Sequence, residues 1–240
     1  MKKITILILI AAAFQSCKND KDEQLQPQLE YVTVNLTFDC DGAAIVKDQF
    51  NYTNAAGNNY SVSRLQFYLA DFTFRKTDGT EVKSDEVFFV DFFAGKNLSF
   101  NFSKIPKGDY DRIKFCIGLP PSQNITGALP NTIDNTNMVW PDMMGGGYHF
   151  LKMEGQFKFS GNTYGYALHL GKNPHLVRIE SSKSFNLSGS SASLSMKMNI
   201  NEWFRIPHTY DLNTDGNYTM GTDSLMLKIA ENGTDVFTIQ

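Results

Sequence analysis

The 240-residue chain lacks an apolar run long enough to cross a membrane as a helix. Its longest uncharged apolar stretch, residues 4–14, has eleven residues. In a helix these rise about 16 Å, roughly half the hydrocarbon core of a bilayer. The stretch follows Lys2 and Lys3 and ends shortly before Cys17. A short basic segment followed by a short apolar one is typical of a signal peptide rather than a membrane span.

Cys17 directly follows the small residue Ser16, as the lipid-bearing cysteine of a lipoprotein signal does. We therefore expect residues 1–16 to be a lipoprotein signal peptide and Cys17 to carry the lipid. The alternative is an ordinary secretory signal that is cleaved nearby. Residues 17–29 are polar and predict a flexible tether. The expected location is the outer membrane, where the lipid holds the protein on the periplasmic face or at the cell surface.

The chain also lacks basic runs, and its formal charge is −3, or −5 without Lys2 and Lys3. Mild acidity argues against a nucleic-acid-binding surface. The Gly-x-Ser-x-Gly elbow, the phosphate loop and the dinucleotide fingerprint are all missing. The sequence therefore gives no reason to propose an enzyme, and a hydrolase is the least favoured interpretation.

Cysteine is scarce: besides Cys17 there are only Cys40 and Cys116. In an oxidising envelope compartment the two remaining thiols are consistent with one disulfide. Two isolated buried cysteines are the alternative, and the sequence does not decide between them.

Helical periodicity is rare, whereas the alternation typical of strands is frequent. Every even position of residues 31–38 is apolar. Similar segments follow at 65–69, 72–74, 87–93, 98–102, 112–118, 149–159, 163–170 and 192–200, separated by turn signals. Strands joined by short turns predict an all-β protein, an antiparallel β-sandwich over residues 30–240.

Two segments depart from this strand pattern. Ser224–Glu231, followed by Asn232-Gly233 as a C-cap, predicts one short C-terminal helix. Leu119–Gly147 has no clear period and is rich in Pro, Asn and Gly. Such a long irregular loop in a compact domain is usually functional or mobile.

Histidine is scarce as well, but three of the four histidines fall within 27 residues, near a methionine-rich patch. They are His149, His169 and His175, and the patch comprises Met138, Met143, Met144 and Met153. Imidazole with thioether is a ligand set suited to copper. The alternative is that the histidines are hydrogen-bonded structural residues and the methionines fill the core.

The spacing within the predicted hairpin bears on which histidines can meet. Ladder arithmetic for residues 149–170 places His169 opposite Glu154 and leaves His149 about five residues further along, roughly 17 Å away. The two histidines can then share a metal only if a flanking glycine-rich segment leaves the ladder and folds over. Otherwise His175 is the easier partner for His149.

Residues 211–216 resemble the first half of a calcium loop, with oxygen ligands at positions 1, 3 and 5 and glycine at position 6. Position 12 is Thr222 instead of a bidentate acid. A structural turn rich in Asx residues is therefore the favoured interpretation.

A longer motif surrounds the first two of these histidines. It reads Met-Val-Trp140-Pro, then Gly-Gly-Gly-Tyr-His149-Phe-Leu-Lys-Met-Glu-Gly155, and later His169-Leu-Gly171. This block resembles the signature of the MbnP-like family, copper-associated envelope proteins named for methanobactin operons and frequent as Bacteroidetes lipoproteins. Weaker matches extend the resemblance over about residues 31–200.

The resemblance implies a β-sandwich that binds copper through histidines. Trp140 matches a family tryptophan that, in the best-studied members, a partner dihaem peroxidase oxidises to kynurenine, which helps to ligate the metal. His169 matches the histidine of His-Leu-Gly, and His149 matches a histidine of the Gly-Gly-Gly-Tyr-His-Phe variant. The chain differs from the family pattern at Cys40, where many members have histidine, and at Asp142, which replaces a second tryptophan.

We therefore expect an outer-membrane-anchored copper-binding protein of copper uptake or handling, and not an enzyme. Its expected metal ligands are His149 and His169, with Trp140 as a candidate kynurenine precursor. The expected partners are the membrane, through the N-terminal lipid, a dihaem peroxidase and an outer-membrane transporter, with no nucleic acid. The alternative is a surface lipoprotein sandwich that recognises glycan or protein, in which the histidines are structural and aromatic side chains form an exposed platform.

Overall fold

The computed structural model describes residues 31–240. The predicted signal peptide 1–16, the lipidation site Cys17 and the tether 17–29 lie outside the described residues. Within the described part, none of the helices has both the length and the apolar character needed to cross a membrane.

Strands dominate the described chain, and two α-helices accompany them. The strands are β1 Tyr31–Cys40, β2 Ala43–Ala44, β3 Tyr52–Thr53, β4 Asn59–Lys76, β5 Glu81–Ser84, β6 Phe88–Asp91, β7 Ser99–Ser103, β8 Gly108–Ile117, β9 His149–Phe159, β10 Asn162–Gly171, β11 Val177–Ser181, β12 Phe185–Leu187, β13 Ser191–Asn199 and β14 Phe237–Ile239. The helices are α1 Ile133–Asn137 and α2 Asp223–Asn232.

The strands form two sheets. One sheet has the order β14-β13-β1-β2, with β7 also paired to β1, and the other has the order β10-β9-β4-β8-β11. The shorter strands β3, β5 and β6 pair with β4, and β12 pairs with β8. The strand pairings are antiparallel except that of β1 with β13, which are far apart in sequence and need no tight turn between them. The predicted all-β sandwich is confirmed.

Aromatic side chains fill the space between the sheets. Phe72 on β4 lies 4.7 Å from Phe102 on β7 of the other sheet, measured between ring centroids, and 5.2 Å from Phe115 on β8. Burial of each phenylalanine side chain stabilises the folded state by about 1.5–3 kcal/mol. The alternation of β1 supplies the facing layer, since Val32 and Val34 are buried between more exposed neighbours.

The long strand β4 contains a bulge, which is why its apolar residues change from odd to even positions along the strand. Its pairing with β8 shifts register between Ala70 and Thr73, and Asp71 takes a left-handed φ of 56°. This is a bulge, which inserts an extra residue and returns the following side chains to the buried face. Leu69 and Phe72 are therefore both buried although they differ in parity.

The two cysteines of the sandwich are free, so the interpretation that they form a disulfide is wrong. Cys40 ends β1 in one sheet, where its Sγ lies 3.3 Å from the Tyr60 hydroxyl. Cys116 lies on β8 in the other sheet, where its Sγ donates to the Ala70 carbonyl at 3.3 Å. Burial raises the pKa of Cys40 to about 11 and that of Cys116 to about 12. Both are thus neutral, buried thiols.

The predicted C-terminal helix is confirmed as α2, which extends one residue further at each end than its sequence pattern. The predicted irregular segment 119–147 contains only the short helix α1 and a 3-10 turn at Asp142–Met144. It leads directly into β9 and positions the site described next.

Candidate metal centre

The hairpin of β9 and β10 turns at Ser160-Gly161, where φ is 49° and 79°. Two consecutive left-handed residues make a type I′ turn, whose twist suits a two-residue hairpin. The ladder that placed His169 opposite Glu154 assumed a turn at Gly161-Asn162. The observed turn lies one position earlier, so His169 pairs with Lys152 instead. Glu154 pairs with Ala167 and is a diagonal neighbour of His169 on the same face.

A bulge at the start of β9 brings His149 to that same face. Leu170 pairs with Leu151, but the next residue, Gly171, pairs with His149, so Phe150 is the extra residue. Without this bulge His149 would point to the opposite side of the sheet, because side chains alternate along a strand. With it, His149 becomes the second diagonal neighbour of His169. The predicted separation of 17 Å is therefore wrong.

The two imidazoles are adjacent. Their ring centroids lie 5.1 Å apart, and the rings are nearly perpendicular at 85°. An ion with two bonds of about 2 Å joins nitrogens up to about 4 Å apart, which rings at this separation allow. The structure thus brings the two predicted ligands together.

His149 is buried and neutral. Its side chain contacts the Met138 carbonyl through Nδ1 at 3.1 Å, and its backbone N–H donates to the same oxygen at 2.7 Å. Burial and the nearby Lys152 ammonium lower the pKa of His149 to about 3. Because a carbonyl only accepts, Nδ1 must carry the proton, and Nε2 then holds the lone pair that can bind a metal.

His169 is held from the opposite side of its ring. Its Nε2 lies 2.8 Å from Oε1 of Glu154, and Nη1 of Arg64 donates to the same oxygen at 2.8 Å. The hydrogen bond from His169 and the nearby Arg64 hold the pKa of Glu154 below its usual range. Nδ1 of His169 is buried and has no hydrogen-bond partner among residues 31–240. A buried nitrogen without a partner needs an explanation, and a metal ion supplies one.

The backbone of His169 is fixed as well. Its N–H donates to Oγ1 of Thr219 at 2.8 Å, and that hydroxyl donates to the carbonyl of His169 at 2.6 Å. Thr219 is completely buried. The segment that follows residue 216 therefore closes the free edge of β10 beside the ring.

Trp140 packs against the ring of His149. Its centroid lies 4.6 Å from that of His149, and the indole is fully buried. A Cβ on Gly171 would lie 2.4 Å from the indole ring, so this position of His-Leu-Gly has no space for a side chain. The indole Nε1 is buried and finds no partner in the described chain.

The glycine-rich segment Gly145–Gly147 connects Trp140 to β9 through three left-handed residues. The carbonyl of Gly147 accepts from the Trp140 N–H at 2.9 Å, and its own N–H donates to Oγ1 of Thr126 at 2.8 Å. A Cβ on Gly147 would lie 2.4 Å from Oδ1 of Asn124. The segment is thus tied to the preceding loop and holds Trp140 over His149.

The other candidate ligands differ in burial and in the contacts they make. Met138 and Met153 are fully buried, whereas Met143 is 94% exposed, so the methionine patch does not converge. His175 is buried, and its Nδ1 lies 2.9 Å from the Gly171 carbonyl. No group of three or more His, Cys, Asp or Glu side chains suitable for a metal occurs within the described residues.

The calcium-like segment is a structural turn. Oδ1 of Asp211 accepts from the Asn213 N–H and from Nδ2 of Asn58, at 2.8 and 3.0 Å. Asp215 pairs with Lys228 at 2.6 Å. These carboxylates are already occupied, as the Asx-turn interpretation expected.

Glu154, Arg64 and Thr219 were not among the predicted site residues. Glu154 stands within the motif that carries the family resemblance, and its place beside His169 follows once the turn is known. Thr219 comes from a distant segment, and no local pattern marks it.

The neutral, buried state of His149 predicts a pH-dependent stability for the metal-free protein. The folded pKa is about 3 against an ordinary value of 6.5, so the unfolded chain binds more protons between these values. Stability is therefore expected to be complete above pH 6.5 and to fall by up to about 1.4 kcal/mol per pH unit below it. Glu154, whose pKa is also lowered, adds to the loss only at pH values near and below the ordinary carboxyl range.

Urea unfolding of the full chain in detergent and chelator, at pH 7, 6 and 5, measures this slope. His149→Asn retains a donor for the Met138 carbonyl but cannot titrate, and we expect it to flatten the slope. His208→Asn, which replaces a partly exposed histidine paired with Glu231, is measured in parallel as the control for the loss of a histidine. An unaltered slope in His149→Asn would contradict the prediction.

Comparisons with known proteins agree with this architecture. The family model described as MbnP matches residues 30–223. MbnP from Methylosinus trichosporium has a similar structure, with a TM-score of 0.59 and 12% identity over 88% of this chain and 98% of that one. At that identity the likeness shows the shared fold alone. No curated protein sequence matches significantly. Because the family model covers most of the chain, the chain belongs to the MbnP family.

Proposed function

We propose that the protein binds copper between His149 and His169 and serves in copper uptake or handling at the outer membrane. One observation carries the proposal: two adjacent imidazoles are each held through one nitrogen, and the other nitrogen of His169 is buried without a partner in the described chain. Metal-binding histidines are typically fixed in this way, with the second nitrogen bonded to a carbonyl or a carboxylate.

The ligand set favours copper over zinc. Imidazole suits both metals, but structural zinc sites take four protein ligands and catalytic ones take three. The described residues offer no third His, Cys, Asp or Glu in a metal-binding group with these two. Monovalent copper accepts two donors, and the two adjacent imidazoles provide them.

Replacement of either histidine by alanine is expected to lower copper affinity by on the order of 100-fold or more, beyond the loss that supporting residues usually cause. The measurement is a titration of the full chain with Cu(I) against a competing chelator, in detergent and without oxygen, and a parallel titration with Cu(II). His149→Ala should also lose about 2 kcal/mol of stability, because its ring is buried. His149→Asn therefore serves as its milder counterpart.

His208→Ala is the control, since His208 pairs with Glu231 away from the proposed site. It should bind copper like the unaltered protein. Unchanged copper affinity in both His149→Asn and His169→Ala would reject this ligand pair.

Trp140 is the proposed kynurenine precursor, because its indole lies against His149. Burial alone does not single it out, since Trp203 is also fully buried. Its contact with the His149 imidazole distinguishes Trp140 from Trp203, because a group formed from Trp140 would lie beside the proposed copper ligands.

Mass spectrometry of peptides from the protein co-produced with a dihaem peroxidase partner tests this assignment. We expect oxidation to kynurenine at Trp140 and an intact indole at Trp203, which serves as the internal control. Equal oxidation of both tryptophans, or of Trp203 alone, would speak against a specific role.

The proposed anchor is a lipid on Cys17. Two or three acyl chains bind a membrane firmly, whereas one binds only marginally. Cys17→Ala should therefore leave the protein unprocessed or release it from the membrane fraction. Cys40→Ala, which removes a buried thiol of β1, should leave processing and membrane association unchanged. Normal processing and membrane retention of Cys17→Ala would refute the anchor.

The rival proposal, recognition of glycan or protein, needs an exposed aromatic platform. Within residues 31–240 the exposed rings of Tyr31, Phe159, Tyr164 and Tyr218 make no ring contact with one another. No specific observation therefore favours this rival.

A further inference from the structure

Glu154 connects the candidate ligand His169 to Arg64. One carboxylate oxygen, Oε1, lies 2.8 Å from Nε2 of His169 and 2.8 Å from Nη1 of Arg64. The three residues come from three neighbouring strands, β10, β9 and β4, so the sheet itself sets their spacing. Side-chain exposure falls from 47% at Arg64 through 24% at Glu154 to 14% at His169.

We propose that Glu154 is a positioning residue that fixes the tautomer of His169, so that Nδ1 carries the lone pair offered to the metal. This inference rests on the proposed copper site. It assigns a role to Glu154, which is not one of the two proposed ligands. Glu154 itself need not touch the ion.

The direction of the hydrogen bond sets the tautomer. An ionised carboxylate only accepts, so Nε2 of His169 must donate to Oε1 and carry the proton. Arg64 donates to the same oxygen and therefore keeps it turned towards the ring. In the neutral imidazole, Nδ1 is then the unprotonated nitrogen.

The opposite tautomer is disfavoured on both sides of the ring. It would place an N–H at Nδ1, which is buried and has no acceptor among the described residues. It would also set the Nε2 lone pair against the carboxylate. The ring cannot escape by a backbone shift, because Thr219 holds both the N–H and the carbonyl of His169.

The tautomer of the other proposed ligand, His149, is fixed by a backbone carbonyl, and the opposite ring nitrogen is left free. The Met138 carbonyl holds the proton of His149 on Nδ1 and leaves Nε2 free to ligate. The site thus uses Nε2 of one ring and Nδ1 of the other. A backbone carbonyl cannot be removed by substitution, so Glu154 is the orienting group that mutation can test.

Two variants of Glu154 separate positioning from charge. Glu154→Ala removes the acceptor, whereas Glu154→Gln retains an amide oxygen that Arg64 can hold in the place of Oε1. Glu231→Gln is the matched control, because Glu231 pairs with His208 in a second histidine–glutamate pair of the same chain.

The first measurement uses the metal-free full chain in detergent, with ¹⁵N NMR of the histidine rings assigned through His169→Asn. We expect a single Nε2–H tautomer for His169 in the unaltered protein and in Glu154→Gln, and a mixed or reversed tautomer in Glu154→Ala. A merely structural carboxylate would not move this signal.

The second measurement is Cu(I) affinity by chelator competition. We expect Glu154→Ala to bind roughly 10–100-fold more weakly, Glu154→Gln to fall between it and the unaltered protein, and Glu231→Gln to stay within about twofold. An unchanged tautomer in Glu154→Ala, or an altered tautomer with unchanged affinity, overturns the inference. An unaltered protein that binds no copper overturns the proposed function instead, while the NMR result still decides whether Glu154 sets the tautomer.

Discussion

The register of the β9–β10 hairpin is the constraint on which the site depends. The left-handed pair Ser160-Gly161 fixes that register, since a two-residue type I′ turn leaves no freedom in which residues oppose each other. His169 then has one diagonal neighbour in Glu154. The bulge at Phe150 gives it the other, His149, by returning that side chain to the same face. A turn some ten residues away thus determines which side chains can share an ion.

The coverage of the site depends on glycine for two separate reasons. Gly171 leaves space for the Trp140 indole, which a Cβ would displace. Gly145–Gly147 adopt left-handed φ values that let the chain return from Trp140 into β9 within a few residues. Together they place a large aromatic ring over His149, a residue whose burial lowers its pKa. Burial and ligand basicity are therefore linked through backbone conformation.

Much of the fold could be predicted from alternation, because strands that face a common core repeat their apolar residues at every second position. β9 begins and ends as predicted. The phase change in β4 is also visible in the sequence, where the apolar residues of 65–69 fall on odd positions and those of 72–74 on even ones. Alternation does not predict which residues of neighbouring strands lie opposite each other. The predicted separation of about 17 Å between His149 and His169 came from an error of one residue at the turn together with the unforeseen bulge at Phe150. Proximity in sequence also grouped methionines that differ in burial, since Met138 is buried and Met143 is exposed. Likewise, alternation did not show that Cys40 and Cys116 lie in different sheets of the sandwich.

The two orienting acceptors match the burial of the rings that they hold. A carboxylate beside His149 would have to be desolvated with it, which costs far more than burying a carbonyl that is already part of the backbone. The Met138 carbonyl performs that task at the buried ring. Glu154 lies nearer the solvent, where Arg64 balances its charge. Each ring is therefore held by an acceptor that suits its surroundings: a neutral carbonyl at the buried ring, and a carboxylate paired with Arg64 at the more exposed one.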